Sequence, residues 1–296
     1  MFKNLSGDGL GVSARQNEKV ELALTYGFKG IDIDLAEMVS RVGPLGEDFA
    51  KRYISSAQKS AKLQIGSFKL PISISGEDAD FNNRLAKLET AAAFAKSIDA
   101  TRCTFDISPG SNRLAYHENF EMYRNRLGAI ADILGKHGIR LGLGLVAAED
   151  ARKNYEYQFV YEVEPLMTLV KTIGRPNVGV ALDLWNWTVG SGALDQIEEL
   201  NVEDIVAVRV ADVPENADPK ALSFKQRLLP GTTPSSRAVK LLQILKAKGY
   251  QGPISAAPHA SQFSGLTRDA VVVRTSEALD RVLDQAGVPR AVPAEA

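Results

Sequence analysis

Polar side chains interrupt or end several apolar runs of this 296-residue chain, at positions where they could do chemistry. Asp183 ends the run VGVALD, Arg209 lies within IVAVRV, and Lys69 follows an otherwise apolar stretch. A carboxylate can accept or release a proton, whereas a guanidinium or an ammonium binds anions and stabilises negative charge on oxygen. We therefore predict Asp183, Arg209 and Lys69 as catalytic candidates that bind a small ligand and move a proton on it.

Further side chains of suitable chemistry lie near the ends of the same or similar runs, and we predict that they bind ligand. They are Asp106, Asn186, Trp185, Asp212 and His259. Some of them have structural alternatives, because Asp106 precedes a turn-rich stretch, Asp212 could anchor a loop and Trp185 could belong to the core. A lone histidine without acidic partners seldom forms a metal site, so His259 is interpreted as a residue of a pocket rim.

Short β-branched or aliphatic runs alternate with longer segments of helical period along the chain. The predicted strands are Phe2–Leu5, Gly30–Leu35, Gln64–Leu70, Arg102–Asp106, Arg140–Val146, Val178–Leu184, Ile205–Ala211 and Pro253–Ala256. Eight such units close most simply into a single (β/α)8 TIM barrel over residues 1–287, followed by a Pro/Ala-rich tail at 288–296. Function in this fold lies where the strands end, so the candidates should meet at one face.

Several local sequence patterns indicate structural features, and one of them raises an alternative fold. Asp32 and Asp34 alternate with isoleucines and therefore share a face of the second strand, where one of them could anchor a neighbouring loop. Thr233 followed by Pro234 predicts the start of a helix that stops at Gly249. An open doubly wound sheet is the alternative fold, but the glycine pattern after the first run, at positions 7, 9 and 11, matches its phosphate loop poorly.

The composition excludes several classes of protein. Lys and Arg number 35 against 36 Asp and Glu, and no basic stripe is present, so nucleic-acid binding is disfavoured. The one cysteine, Cys103, cannot form an internal disulfide and is interpreted as a buried strand thiol. Neither a signal sequence nor an apolar run of membrane-spanning length is recognisable, so we expect a cytoplasmic protein without a membrane partner.

Four segments resemble those of xylose isomerase-like TIM barrels, the sugar-phosphate isomerase/epimerase superfamily that also includes the endonuclease IV type of nuclease. They are YGFKGIDIDL from Tyr26, NVGVALDLWNW from Asn177, IVAVRVADV from Ile205 and LLPGTTPSSRAVKLLQILKAKGYQGPIS from Leu228. The resemblance implies one divalent metal such as Mn or Mg, held by a Glu ending strand five, an Asp on strand six, a His on strand seven and a Glu on strand eight. It also implies that the two glutamates move a proton, and that a homodimer can be expected.

The positions that correspond to this implied ligand set are Gly144, Asp183, Arg209 and Ala257. Only Asp183 retains a ligand side chain, and a permanently cationic guanidinium repels a metal ion. We therefore predict that no metal is bound, and hypothesise that an ion pair between Arg209 and Asp183 replaces it. Three histidines are also too few for the trinuclear zinc cluster of the related nucleases.

Three hypotheses for the function follow. The first is a sugar or keto-acid isomerase or epimerase that uses Lys69, Asp183 and Arg209 without a protein-bound metal. The second is a non-catalytic protein that binds a small polyhydroxylated or anionic ligand at the same place. The third is a metal-dependent enzyme whose ligands lie at other positions. We take the isomerase-like protein with a small sugar-like ligand as the leading hypothesis, and the binding protein as its alternative.

Overall fold

A closed barrel of eight parallel strands forms the centre of the protein. The computed structural model describes residues 1–7, 10–40 and 49–289. The barrel strands are β1 (Phe2–Leu5), β2 (Gly30–Ile33), β3 (Gln64–Lys69), β4 (Arg102–Asp106), β5 (Arg140–Gly144), β6 (Val178–Asp183), β7 (Ile205–Val210) and β8 (Pro253–Ala256). Each strand pairs with its neighbours in sequence, and β8 pairs with β1. The predicted (β/α)8 barrel is therefore confirmed.

Helices surround the barrel and cover its outer surface. They are α1 (Gln16–Thr25), α2 (Leu35–Ser40), α3 (Phe49–Ala61), α4 (Asp78–Lys96), α5 (Tyr116–Lys136), α6 (Glu149–Arg152), α7 (Val163–Ile173), α8 (Leu184–Val189), α9 (Leu194–Glu199), α10 (Ala238–Ala247) and α11 (Arg268–Gln285). In α7, the buried residues Val163, Leu166, Leu169 and Ile173 recur at helical spacing and form an apolar stripe. No helix of the described residues is both long and apolar enough to span a membrane.

The predicted helix start at Thr233 is wrong. The cap of α10 is Arg237, and the helix ends at Ala247, just before the predicted stop at Gly249. Thr233 does not cap the helix, because its backbone N–H and its hydroxyl both donate to the Asp212 carboxylate, at 3.1 and 3.2 Å. The segment that precedes α10 is therefore shaped by a contact with the loop after β7.

A bulge between β2 and β3 alters the register at the end of the barrel where the strands terminate. Ile31 pairs with Ile65, but Ile33 pairs with Phe68, so β3 contains one residue more than β2 in this interval. Gly66 and Ser67 together therefore lie opposite Asp32. Bulges of this kind redirect side chains and are frequent beside functional sites.

Several sequence predictions concern single residues or the chain end. Cys103 is buried and not disulfide-bonded, as predicted, and burial raises the pKa of its thiol, so the sulfur stays protonated. Gly9 and residues 290–296, which include most of the predicted tail, lie outside the described residues. The division into a barrel and a tail therefore stays a prediction.

Candidate functional site

A cavity of about 380 Å³ opens at the carboxyl ends of the strands, and we call it the mouth cavity. Its volume falls in the range of small-molecule sites. Predicted site residues that line it are Lys69, Asp106, Asp183, Asn186, Arg209 and His259. Arg227 lines it as well, although the sequence did not single it out. The strand ends, together with the loop that carries Arg227, therefore bring three cationic and two carboxylate side chains to one cavity.

Asp183 forms a buried salt bridge with Arg227. Nη2 of Arg227 lies 2.6 Å from Oδ2 of Asp183, and the two side chains are only 7% and 4% exposed. Oδ1 of Asp183 accepts a hydrogen bond from the backbone N–H of Asn186 at 3.0 Å, which caps α8. Nε of Arg227 donates to the carbonyl of Ala257 at 2.8 Å. Both partners are thus held from two sides.

The predicted ion pair between Arg209 and Asp183 is wrong. Although the two residues are paired in the register of β6 and β7, Arg209 makes its salt bridge with Asp106 across the barrel, at 3.4 Å. The Arg209 and Asp106 side chains are 20% and 34% exposed, so this pair faces the cavity more openly than the Asp183–Arg227 pair. The carboxylate of Asp183 binds Arg227 instead, which lies in the loop between β7 and α10.

Asp106 takes the space that a side chain on strand five would need. It is paired in register with Gly144, and a Cβ atom added to Gly144 would overlap the Asp106 carboxylate. A glycine is therefore required at the end of β5 as long as Asp106 keeps its position. The barrel carries a carboxylate near this place, but β4 supplies it and Arg209 neutralises it.

Two of the predicted ligand-binding residues are occupied elsewhere. Trp185 is fully buried and stacks on Phe224, with ring centroids 5.9 Å apart, while the Arg227 guanidinium lies 5.1 Å from its ring. Trp185 therefore supports Arg227 from behind and does not line the mouth cavity. Asp212 is buried and accepts hydrogen bonds from Thr232, Thr233 and Ser236, so it anchors the loop that follows β7.

Asn186 and His259 lie at the cavity with part of their hydrogen-bonding capacity already used. Oδ1 of Asn186 accepts from the backbone N–H of Ala147 at 3.1 Å. Nδ1 of His259 lies 2.8 Å from the Ser261 hydroxyl, and the His259 backbone N–H donates to the carbonyl of Arg227 at 3.0 Å. His259 is half-buried, in keeping with its interpretation as a rim residue.

A smaller cavity of about 150 Å³ adjoins the mouth cavity and shares Lys69 and Arg209 with it; we call it the side lobe. Asp32 lines the side lobe, and burial raises the pKa of its carboxyl group. Hydrogen bonds from Ser6 and Asn4 and the charge of Arg209 act in the opposite direction. Asp34, next to it, accepts from the Glu37 backbone N–H at 2.8 Å and caps α2, which is a structural role.

The side chains of the mouth do not match the ligand set of a divalent metal. Within the described residues, no group of three or more His, Cys, Asp and Glu side chains could hold a metal ion. Gly144 and Ala257 offer no side-chain donor, and Asp183 is committed to a guanidinium and a backbone N–H. Hard divalent cations need several oxygen ligands, and an arginine has no lone pair to give. The donor set that the described residues bring to the mouth therefore does not fit such an ion.

Sequence reasoning missed Arg227 and underrated Asp32. Arg227 stands one residue before the quoted segment LLPGTT, in a loop without helical or strand period, so only its contact with Asp183 reveals it. The importance of Asp32 depends on the bulge in β3, which leaves no trace in the hydrophobic pattern. A buried Asp183 without a metal does require a cationic partner, but the sequence does not show which cation this is.

Comparisons with known proteins agree with the fold. The profile of a family described as xylose isomerase-like TIM barrel matches residues 20–282. A putative hydroxypyruvate isomerase of Mus musculus is 23% identical over 186 residues, 61% of this chain and 62% of its own length. An inosose isomerase of Halalkalibacterium halodurans is 23% identical over 148 residues, 50% of this chain and 49% of its own length. The chain thus spans less than two thirds of either relative.

Solved structures resemble the protein over nearly its whole length. A xylose isomerase domain protein from Alicyclobacillus acidocaldarius has a TM-score of 0.83 and 22% identity, covering 97% of this chain and 99% of that one. The IOLI protein with a bound zinc atom has a TM-score of 0.76 and 15% identity, covering 97% and 98%. At these identities the likeness shows the fold alone.

Proposed function

Because the chain belongs to the xylose isomerase-like TIM barrel family, which includes sugar isomerase- and epimerase-like proteins, we propose that it binds a small polyhydroxylated acid without a protein-bound divalent metal. One observation carries this proposal: two arginine–aspartate salt bridges occupy the strand ends of the mouth. Arg227 binds Asp183 at 2.6 Å, and Arg209 binds Asp106 at 3.4 Å. Guanidinium groups therefore supply the positive charge at this place.

The charge of the mouth cavity favours an anionic ligand. Among the residues that the structure describes, Lys69, Arg209 and Arg227 contribute three cationic groups to the lining, against the carboxylates of Asp106 and Asp183. Arginine N–H groups bind carboxylates in bidentate geometry, and they also donate to hydroxyl and carbonyl oxygens. A small acid with neighbouring hydroxyl and carbonyl groups would use all of these donors.

The reaction class that suits this arrangement is an isomerisation or epimerisation by proton transfer beside a carbonyl group. Arg209 and Lys69 would polarise the carbonyl oxygen, a role that a metal ion performs elsewhere. The name of the mouse relative suggests hydroxypyruvate as a first substrate to test, since it combines a carboxylate, a carbonyl and a hydroxyl group on three carbons.

A non-catalytic binding protein is the second candidate, and a specific observation favours it. The two positions that should carry the proton-moving glutamates are Gly144 and Ala257. The Asp106 carboxylate occupies the space that a side chain at position 144 would need. A protein that lost these groups could keep the ligand and lose the reaction. Exchange of ligand C–H hydrogens with solvent deuterium distinguishes the two candidates, because only an enzyme accelerates it.

Calorimetric titration of hydroxypyruvate and a panel of small sugar acids tests the proposal. With a chelator present, we expect at least one of these acids to bind, and Arg209→Met to weaken it by about tenfold or more, as for other lost charged hydrogen bonds. Arg175→Met is the matched control, since Arg175 pairs with Asp132 outside the mouth. Binding that requires Mn²⁺ or Mg²⁺ and disappears with the chelator would contradict the proposal.

A further inference from the structure

Asp32 is held in the side lobe by an arrangement of groups that the proposed function does not yet use. Its Oδ1 atom accepts hydrogen bonds from the Ser67 backbone N–H at 2.8 Å, the Ser67 hydroxyl at 3.0 Å and Asn4 Nδ2 at 2.9 Å. Three donors on one oxygen fix the position and orientation of the carboxyl group. Such fixation is what a group that transfers a proton to a bound ligand requires.

The bulge in β3 creates this arrangement. Since Gly66 and Ser67 both lie opposite Asp32, Ser67 can direct its N–H and its hydroxyl at the same carboxylate oxygen. Gly66 leaves room for the Asn4 side chain, which a Cβ atom at this position would overlap. A local change of backbone register and a glycine thus serve to hold one acidic side chain.

Asn4 shows that the arrangement costs folding free energy. Its Nδ2 donates to both Asp32 and Ser255, each at 2.9 Å, which sets the orientation of the amide. Its Oδ1 atom is buried and has no hydrogen-bond partner among the described residues. A buried acceptor without a donor is unfavourable, and such groups are concentrated where function requires them.

The surroundings of Asp32 suit proton transfer beside a carbonyl group. Lys69 and Arg209 line the side lobe together with Asp32 and also line the mouth cavity. A ligand that spans both cavities would therefore place its reacting carbon near the carboxyl group and its oxygens near two cations. Among the described residues, the other charged groups that line the lobe are Lys19 on α1 and Asp34 beyond β2. The charge of Asp32 also contributes to raising the pKa of Tyr250.

We propose that Asp32 is the catalytic acid and base of the mouth, acting on a hydroxy acid that carries a carbonyl group beside a hydroxylated carbon. This inference rests on the proposed function, because it requires that such an acid binds.

The proposed step conserves atoms and electrons. The Asp32 carboxylate takes the proton of the hydroxylated carbon, the C–H pair becomes the C=C bond of an enediolate, and the carbonyl π pair moves to oxygen beside Arg209 and Lys69. Return of the proton to the same carbon gives exchange or an epimer. Return of the proton to the former carbonyl carbon, together with transfer of the hydroxyl proton to the former carbonyl oxygen, gives an isomer. No oxidant or reductant is consumed.

Burial of Asp32 also favours its role as a base. It raises the pKa of this carboxyl group, and a base whose pKa approaches the working pH is the more effective in proton transfer.

The test measures deuterium incorporation into hydroxypyruvate in D₂O by proton NMR, with the uncatalysed rate subtracted, beside calorimetric binding of the same compound. We expect Asp32→Asn to bind hydroxypyruvate as the wild type does and to lose exchange by about 10²- to 10⁴-fold, the usual contribution of a general base. Asp132→Asn is the matched control and should keep exchange, because Asp132 lies on α5 and pairs with Arg175 outside the mouth.

Ser67→Ala provides a second readout that does not depend on removing the acid. It deletes one hydrogen bond to the charged carboxylate, so the pKa of Asp32 should rise and the acidic limb of the exchange profile should move to higher pH. Wild-type exchange in Asp32→Asn, an unmoved limb in Ser67→Ala, or wild-type binding without exchange would each overturn the role of Asp32 and leave the proposed binding intact. Absence of binding to the wild type would overturn both.

Discussion

The two salt bridges of the mouth differ in burial and in tightness. Asp183 and Arg227 are almost fully buried and 2.6 Å apart, whereas Asp106 and Arg209 are 34% and 20% exposed and 3.4 Å apart. Arg227 is further held by the Ala257 carbonyl and by the rings of Trp185 and Phe224. The first pair therefore builds the mouth, and we propose that the second pair meets the ligand.

The comparison predicts the largest effect for Arg227→Met. Removing this arginine leaves the buried Asp183 carboxylate without its counter-ion, which costs about 3–5 kcal/mol of unfolding free energy in comparable sites. Urea denaturation measures the loss. Arg175→Met, which breaks an exposed pair with Asp132, should cost far less. Equal losses in the two variants would break the distinction between the pairs.

Arg209→Met should weaken ligand binding and change stability little, whereas Arg227→Met lowers stability. Because its pair with Asp106 is partly exposed, we expect the unfolding free energy to change by no more than about 1 kcal/mol. Affinity for the acidic ligand should fall by about 10- to 100-fold, the effect of losing a charged hydrogen bond. Denaturation and calorimetry on the same preparation check both values. A large loss of stability with unchanged affinity would show that Arg209 is structural.

Gly144→Ala should affect only the more exposed pair. The added Cβ atom meets the Asp106 carboxylate, so we expect a loss of about 1 kcal/mol, at the lower end of the cost of overpacking because Asp106 is able to turn away. The Asp106–Arg209 distance should increase while the Asp183–Arg227 pair stays unchanged, as a crystal structure of the variant would show. Movement of both pairs would mean that they are coupled.

The smallest effect concerns Asp32 and pH. Burial raises the pKa of this carboxyl group above its unfolded value of about 3.9, so its contribution to stability is present at low pH and is lost as pH rises through the folded pKa. Asp32→Asn does not titrate, and its stability relative to the wild type should therefore increase with pH above about 4. Urea denaturation at several pH values tests the sign. A relative stability that falls with pH would show that the pKa of Asp32 is lowered instead.

Hydrophobic runs predicted the barrel well because strands and their spacing depend on local composition. The predicted strand Arg102–Asp106 agrees with β4 at both ends. Residues at strand ends, such as Lys69 and Asp183, were predicted to lie at one face because the parallel strands of a barrel end together. Both residues line the mouth cavity.

Partners of the site residues could not be predicted in this way. The implied metal-ligand positions on neighbouring strands suggested that Asp183 pairs with Arg209, but a loop arginine reaches Asp183, and Arg209 binds Asp106. Trp185 was predicted at the ligand because its chemistry suits a sugar, whereas packing places it behind Arg227. Contacts of this kind depend on loop conformation and side-chain packing across the barrel, which the sequence pattern does not encode.

We propose that arginines take the place of a divalent metal in the mouth, and elemental analysis tests this proposal. The protein is incubated with Mn²⁺, Mg²⁺, Co²⁺ and Zn²⁺, freed of unbound ions by desalting, and measured by plasma mass spectrometry. We expect far less than one equivalent of any of these metals per chain. One equivalent that is retained by the wild type and lost in Asp183→Asn, while Arg175→Met keeps it, would show that the mouth binds a metal ion after all.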